Sequence, residues 1–306
     1  MFFSRSRGVL IPRAVASAFI INKLSSLSSS TAAQQDAGSS SSTATYPANN
    51  PIEDRHLVGV FGGCPVGVVF DGHGGWQVAH FAAQKLVPCM FERLESGPGV
   101  EALTREEVAQ RIIESFRKVD DEYVSSIRAA YARGFGEVGK VGACVCVALV
   151  RPVAGQAGRR ELVVANAGDC RAVLGTYDAA CAARVSSSEG LAVALEVTGK
   201  TTNLVGLHLG RDHNAREPRE QEALCRAHPG ETLAELVRCK SDTACYVKGR
   251  LQLTRSLGDL YLKTADFNAP PGLHRSAGRR IPDPYSPPYV SGTPEVTFLE
   301  LDDRDK

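Results

Sequence analysis

A change of hydrophobic period near residue 142 limits this chain to few folds. Before it come two short β-like runs and two long helical ones; after it almost every apolar run is β-like. Residues 56–61 (HLVGVF) and 66–70 (VGVVF) read as strands around the turn GGCP. Residues 76–95 read as a helix that Pro88 kinks or breaks. Residues 104–132 read as a long helix, with Thr104 as N-cap and Glu106 and Glu107 in its first turn. Its apolar residues recur at 108, 112, 113, 116, 119 and 124, close to helical spacing. GACVCVALV (142–150) then reads as a buried strand. ELVVANAGD (161–169) and RAVLGTY (171–177) read as two strands joined at an Ala-Gly-Asp corner, and LAVALEV (191–197) as a further strand. Residues 215–228 read as an exposed helix of mixed charge, 266–293 are broken up by proline and glycine, and EVTFLEL (295–301) is a last strand. Strands, then helices, then strands argues against alternating βα units. It predicts an α+β chain of antiparallel sheets with helices laid over them.

The first 45 residues differ from the rest. Arg5, Arg7, Arg13 and Lys23 precede the first acid, Asp36, and apolar residues are interleaved with these cations. That pattern predicts a mitochondrial transit peptide forming a basic amphipathic helix, followed by a disordered serine-rich linker over 25–45. A secretory signal built on AVASAFII and an untargeted disordered tail are the rival readings. A globular domain is expected over 46–306. The formal net charge is +1, so no global field points to nucleic acid or to a membrane surface. No run of about 18 apolar residues is present, which predicts no membrane span. Nine cysteines are scattered without a CxxC pair, which predicts a reducing compartment, no zinc site and no disulfide framework. Cys144 and Cys146 should pack as small hydrophobes on one strand face.

Acids cluster where the first two strands would meet. Glu53 and Asp54 precede the first strand and Asp71 ends the second. A hairpin would bring all three to one end of a sheet, where carboxylates repel unless a cation lies between them. Oxygen-only ligands suit Mg²⁺ or Mn²⁺. Gly72 would let the backbone turn and bring its carbonyl to the ion, and His73 would stand ready to give a proton to a leaving oxygen. Taken alone, a DG after a strand is more often a turn, and so is Gly168-Asp169.

Four segments in order, PIEDR, VVFDGHGG, ANAGDCRAVLG and LQLTRSLGD, resemble the metal-dependent serine/threonine protein phosphatases of the PPM, or type 2C, family. Within it, NNPIEDR, RDHNAREPREQEALCRAHPG, the insert after LGDLYLK and PPYVSGTPEVTFLELDDRDK look most like the mitochondrial pyruvate dehydrogenase phosphatases. Many members carry a phosphate-gripping arginine where this chain has Asn49, another likeness to that branch. The resemblance implies a four-layer αββα sandwich, two antiparallel sheets flanked by helices. It implies two Mg²⁺ or Mn²⁺ ions at one edge, with a weaker third. Asp71 would bridge the pair, Glu53 and the Gly72 carbonyl would bind one ion, and Asp54 would hold ligated waters. Asp169 matches the weaker third position, His73 would be the general acid, and Asp259 would be structural. A metal-activated water would attack phosphorus directly.

The family pattern also has two later metal aspartates, and the sequence reaches Lys306 before the first of them; Asp302, Asp303 and Asp305 are not stand-ins. The expectation is therefore a sandwich incomplete at its C-terminus, from a fragment of an active phosphatase. The rival is a truncated, inactive pseudophosphatase that binds phosphoproteins. The expected substrate is a phosphoprotein such as the pyruvate dehydrogenase complex, the expected compartment the mitochondrial matrix, with the cytoplasm as alternative. His213 reads as structural. His56, His80, His208, His228 and His274 share no spacing and read as surface or core residues. Trp76 should pack at the start of the first helix. Residues 216–222 read as a solvated face, with substrate docking the lesser alternative.

Overall fold

The computed structural model describes residues 18–22, 40–155, 158–177, 185–187, 196–198, 205–268 and 280–302. Strands β1 (Ala18–Asn22) and β2 (Ser40–Ala44) pair as an antiparallel ribbon, although the sequence predicts a leader helix and a disordered linker there. The domain proper opens with β3 (Arg55–Phe61) and β4 (Cys64–His73). Their turn is tighter than GGCP: only Gly62 and Gly63 lie between the strands, both at positive φ (53° and 74°). Two consecutive positive φ values suit the right-handed twist of a hairpin, and glycine adopts them without strain. β4 also runs three residues past its expected end, so Asp71, Gly72 and His73 are strand residues rather than a loop.

Helix α1 (Gln77–Leu94) follows, then α2 (Arg105–Ala132). Pro88 does not break α1. Its ring faces solvent while Leu86, Val87, Met90 and Phe91 around it are buried. Packing on both sides of the proline outweighs its lost hydrogen bond. α2 begins as predicted: the Thr104 hydroxyl accepts from the Glu107 N–H at 3.2 Å, and Glu107 accepts from the Thr104 N–H at 2.8 Å. That reciprocal box satisfies two orphan donors. No helix of the described residues is long and apolar enough to cross a membrane.

The remaining strands are β5 (Gly142–Pro152), β6 (Arg160–Ala167), β7 (Ala172–Thr176), β8 (Val185–Ser187), β9 (Glu196–Thr198) and β10 (Val205–Leu209). Helices α3 (Pro218–Ala227) and α4 (Leu233–Leu236) precede β11 (Val237–Ser241), β12 (Ala244–Val247), β13 (Leu257–Gly258) and β14 (Glu295–Leu301). Among the described residues, β3-β4-β5-β6-β14-β8 form an antiparallel sheet with β13 added to β5, and β7-β10-β9 form a smaller one. Period-two alternation sorts the cores. Val66, Val68 and Phe70 of β4, and Val145, Val147 and Leu149 of β5, face α1 and α2. Val69, Cys146, Ala148 and Val150 face Leu174, Leu207 and Leu209 of the smaller sheet. A strand buried on both faces explains the unbroken apolar run of β5. The layered, antiparallel α+β sandwich expected from the sequence is therefore present; among the described residues no helix shares the core between the sheets.

Four expectations need correction or limits. Helix α3 starts at Pro218 rather than 215, because proline suits a first helical turn but not an interior. Its charged face is not simply solvated: Glu220 is buried and accepts from Thr254, and Arg216 is tied to Asp212 and Glu217. The chain is not all thiol, since Cys239 and Cys245, opposite each other on β11 and β12, form a disulfide. Residues 191–195 of the expected strand, 269–279 with His274, and 303–306 lie outside the described residues.

Candidate functional site

The hairpin register places the acids. Arg55 pairs with Phe70, so Asp54 lies beside Asp71 at the end of the β3–β4 ladder. β5 runs alongside, with Cys144 opposite Asp71 and Gly142 opposite His73. The Gly168 corner (φ 122°) carries the chain from β6 in the large sheet to β7 in the small one and sets Asp169 at the same end. A Cβ at Gly168 would meet Cys144, so this crossing needs glycine.

Electrostatics show how close these groups are. The Asp54 carboxyl is pushed up to about 7 by burial first, then by the charge of Asp71, with a shared hydrogen bond to Asp71 and the charge of Glu53 adding to it. The Gly72 N–H donates to Asp54 and works the other way. Cys170 feels Asp71, Asp169 and Asp54 together; its strongest influence, the hydrogen bond with Cys144, lowers its pKa, but burial and these charges raise it overall. Asp169 accepts from Cys144 Sγ at 3.5 Å and Asn214 Nδ2 at 3.4 Å. Asn49 Nδ2 donates to Glu53 Oε2 at 2.7 Å, so the residue in the arginine position orients a carboxylate.

Gly72 is required for a reason the sequence does not show. Its φ is not positive and the strand does not turn there. A Cβ would instead overlap the carbonyl oxygen of Glu53, where the lead-in to β3 crosses the end of β4. The turn comes at Gly74 and Gly75 (φ 69° and 143°), just ahead of α1. Trp76 caps that helix, meets His80 edge-on at 5.4 Å and carries the Arg55 guanidinium 5.8 Å from its ring centre.

His73 has a partner that its spacing gives no sign of. Its Nε2 lies 2.8 Å from Asp259 Oδ2, and Asp259 is wholly buried. Burial alone would lower the His73 pKa. The charge of Asp259, their hydrogen bond, and the charges of Asp71 and Asp169 raise it overall.

The donor set fits a hard divalent cation. Among the described residues no three His, Cys, Asp or Glu side chains form a ready cage. What is present is a half-buried carboxyl pair, Asp54 and Asp71, joined by a hydrogen bond where a cation would separate them, with Glu53 and Asp169 close by. Every carboxylate predicted for the site is at this end of the sheet, and so is the Gly72 backbone. Asp259, Asn49, Asn214 and the Cys144–Cys170 pair were not predicted as part of it. The RSLGD motif was the one available signal for Asp259.

The family model described as Protein phosphatase 2C matches residues 66–306. "Probable protein phosphatase 2C 67" of Arabidopsis thaliana is 28% identical over 258 residues, 84% of this chain and 56% of that one. "Probable protein phosphatase 2C 36" of Oryza sativa subsp. japonica is 28% identical over 228 residues, 74% of this chain and 48% of that one. The chain thus spans about half the length of these relatives. A solved C. elegans sex determining protein superposes with a TM-score of 0.49 at 18% identity, covering 83% of this chain and 46% of its own.

Proposed function

The chain belongs to the protein phosphatase 2C family, and we propose that it acts as a metal-dependent protein phosphatase on phosphoserine and phosphothreonine. One observation carries this reading: Asp54, Asp71 and Asp169 gather beside the His73–Asp259 pair at one end of the sheet. Glu53, Asp71 and the Gly72 carbonyl would hold Mg²⁺ or Mn²⁺, with Asp54 in the surrounding shell and Asp169 toward a weaker third ion. When bound, these ions supply Lewis-acid activation of water and neutralise phosphoryl charge. The chain's own residues do the rest. Asn49 holds Glu53 in place. The approach of the Glu53 backbone to Gly72 fixes the spacing between the two segments that carry the ligands. His73, its protonated form favoured by Asp259, Asp71 and Asp169, holds a proton for the departing serine or threonine oxygen.

The proposed substrate is phosphorylated pyruvate dehydrogenase or a similar mitochondrial enzyme. The likeness of NNPIEDR and the RDHNA region to that branch supports it, as does the cation-rich leader. The test is phosphate release from a phosphoserine peptide by the full chain with and without Mn²⁺. Release should need Mn²⁺ and fall to background in Asp71→Ala. Metal-independent release, or an active Asp71→Ala protein, would sink the reading. Mn²⁺ binding without turnover would leave a phosphoprotein-binding pseudophosphatase instead. Equal rates on pyruvate dehydrogenase phosphopeptides and unrelated ones would remove the substrate assignment. Cytosolic retention of a reporter fused to residues 1–45 would remove the mitochondrial one.

A further inference from the structure

Three strands meet in one row at the site: His73 of β4 pairs with Gly142 of β5, and Gly142 pairs with Gly258 of β13. The His73 ring reaches across the middle strand to Asp259, just past β13. That reach depends on Gly142, where a Cβ would overlap both Asp259 Oδ2 and His73 Nε2. The position of Asp259 is itself tightly set. It sits in the left-handed region (φ 52°) straight after Gly258 (φ 75°), and its N–H donates to the Val141 carbonyl at 2.9 Å. A Cβ at Gly258 would strike that same carbonyl. Asp120 of α2 accepts from the Gly258 N–H at 2.7 Å and pairs with Lys263, which donates to the Ser256 carbonyl at 2.8 Å. Ser256 Oγ donates to Asp259 Oδ2 at 2.5 Å. Two elements and five hydrogen bonds hold a carboxylate whose contact with a titratable side chain is His73. A non-glycine residue kept at positive φ beside a site is strain that the surroundings must over-determine.

We propose that Asp259 is the positioning residue of His73: it accepts a hydrogen bond from Nε2–H, fixes the ring, and leaves Nδ1 as the atom that hands over the proton. This rests on the phosphatase reading. Oδ2 already accepts from Ser256, so in this contact the ring nitrogen is the donor and Nε2 carries hydrogen. Among the described residues Nδ1 makes no hydrogen bond. In the reaction the ester P–O bond breaks, the departing serine oxygen takes the Nδ1 proton, and the ring becomes neutral with Nε2–H still on Asp259. The attacking water supplies the oxygen that joins phosphorus and releases the proton that balances the step. Ser256 is the further link, because its hydroxyl orients the carboxylate that orients the ring.

Two experiments test this on the full chain. The first compares, with Mn²⁺, a phosphoserine peptide and p-nitrophenyl phosphate, whose leaving group departs without a proton. Asp259→Asn and Gly142→Ala should each lower phosphopeptide turnover by about 10²-fold, the share general acids supply. Turnover of p-nitrophenyl phosphate should fall less than about threefold by the same principle. Adding Asp259→Asn to His73→Ala should cost nothing more. Equal losses on both substrates, or additive losses in the double variant, would overturn the assignment and make Asp259 merely structural. The second experiment reads the ring tautomer of ¹⁵N-labelled His73 in metal-free protein. The neutral ring should carry hydrogen on Nε2 and lose that preference in Asp259→Asn; an Nδ1–H ring in the unaltered protein would overturn the proposal. If the unaltered protein turns over neither substrate, the phosphatase reading fails, and the tautomer still decides the pairing.

Discussion

A methyl group at position 72 would overlap the Glu53 carbonyl oxygen, a backbone atom, so nothing flexible can move aside. Gly72→Ala should therefore push the Glu53–Asp54 segment off the end of β4. If Glu53 and Asp71 share a cation, titration calorimetry should show Mn²⁺ affinity falling by about 10-fold or more, the scale on which supporting contacts act at metal sites. Unchanged affinity would mean that this close approach does not shape the metal site. The residue itself was legible in DGHGG; its reason was not. Spacing suggests a turn, whereas the chain stays extended and the glycine answers a segment 19 residues back. His73 shows the same limit. Its nature and place mark a proton donor, but Asp259 lies 186 residues away and only the three-strand row brings them together.

At the level of elements, local rules succeeded where local forces decide. The Thr104 cap and the 108–124 spacing place α2 to within a residue, because hydroxyl capping and a buried stripe are written in adjacent positions. They failed where tertiary packing overrides them. A proline inside α1 costs about 3 kcal/mol by propensity, yet the helix continues through it. Since Pro88 is exposed, Pro88→Ala restores a backbone donor without disturbing the core. Allowing for the looser unfolded chain, it should stabilise the protein by about 2 kcal/mol, read from the denaturant midpoint. An unchanged or lower midpoint would show that the helix is built around the proline rather than despite it. The strand end of β4 was missed for a related reason: β5 continues the ladder past Phe70, and a partner strand is invisible in a local window.

For the whole molecule, the order of strands and helices was enough for a layered antiparallel sandwich, because an apolar face must be covered whatever the sequence detail. Which sheet each late strand joins was not legible: β6 and β7 flank one corner yet lie in different sheets. A net charge of +1 likewise says little about how stability depends on pH. Buried groups decide that, and His208 of β10 is the clearest. It is 5% exposed, and its Nε2 is buried without a hydrogen-bond partner among the described residues. Burial first, then the charge of Arg171, lowers its pKa from 6.5 to about 4, against smaller opposing effects of Asp212 and Glu295. The unfolded chain therefore binds a proton that the folded chain refuses throughout that window. Stability from this group is complete above pH 6.5 and is lost as pH falls toward 4, by about 1.4 kcal/mol per unit and about 3 kcal/mol in all. Asp54 acts with the opposite sign. Its folded pKa lies above its unfolded one, so the folded chain holds that proton more tightly and gains stability as pH falls from about 7. The two slopes overlap, so the profile of the unaltered protein alone does not isolate either. Subtracting the profile of His208→Asn cancels Asp54 and every other shared group. The difference between the two proteins' unfolding free energies should change by about 3 kcal/mol between pH 6.5 and 4, in the direction that disfavours the unaltered protein in acid. A flat difference would mean that His208 takes up its proton in place, with Asp212 and Glu295 outweighing Arg171 and burial.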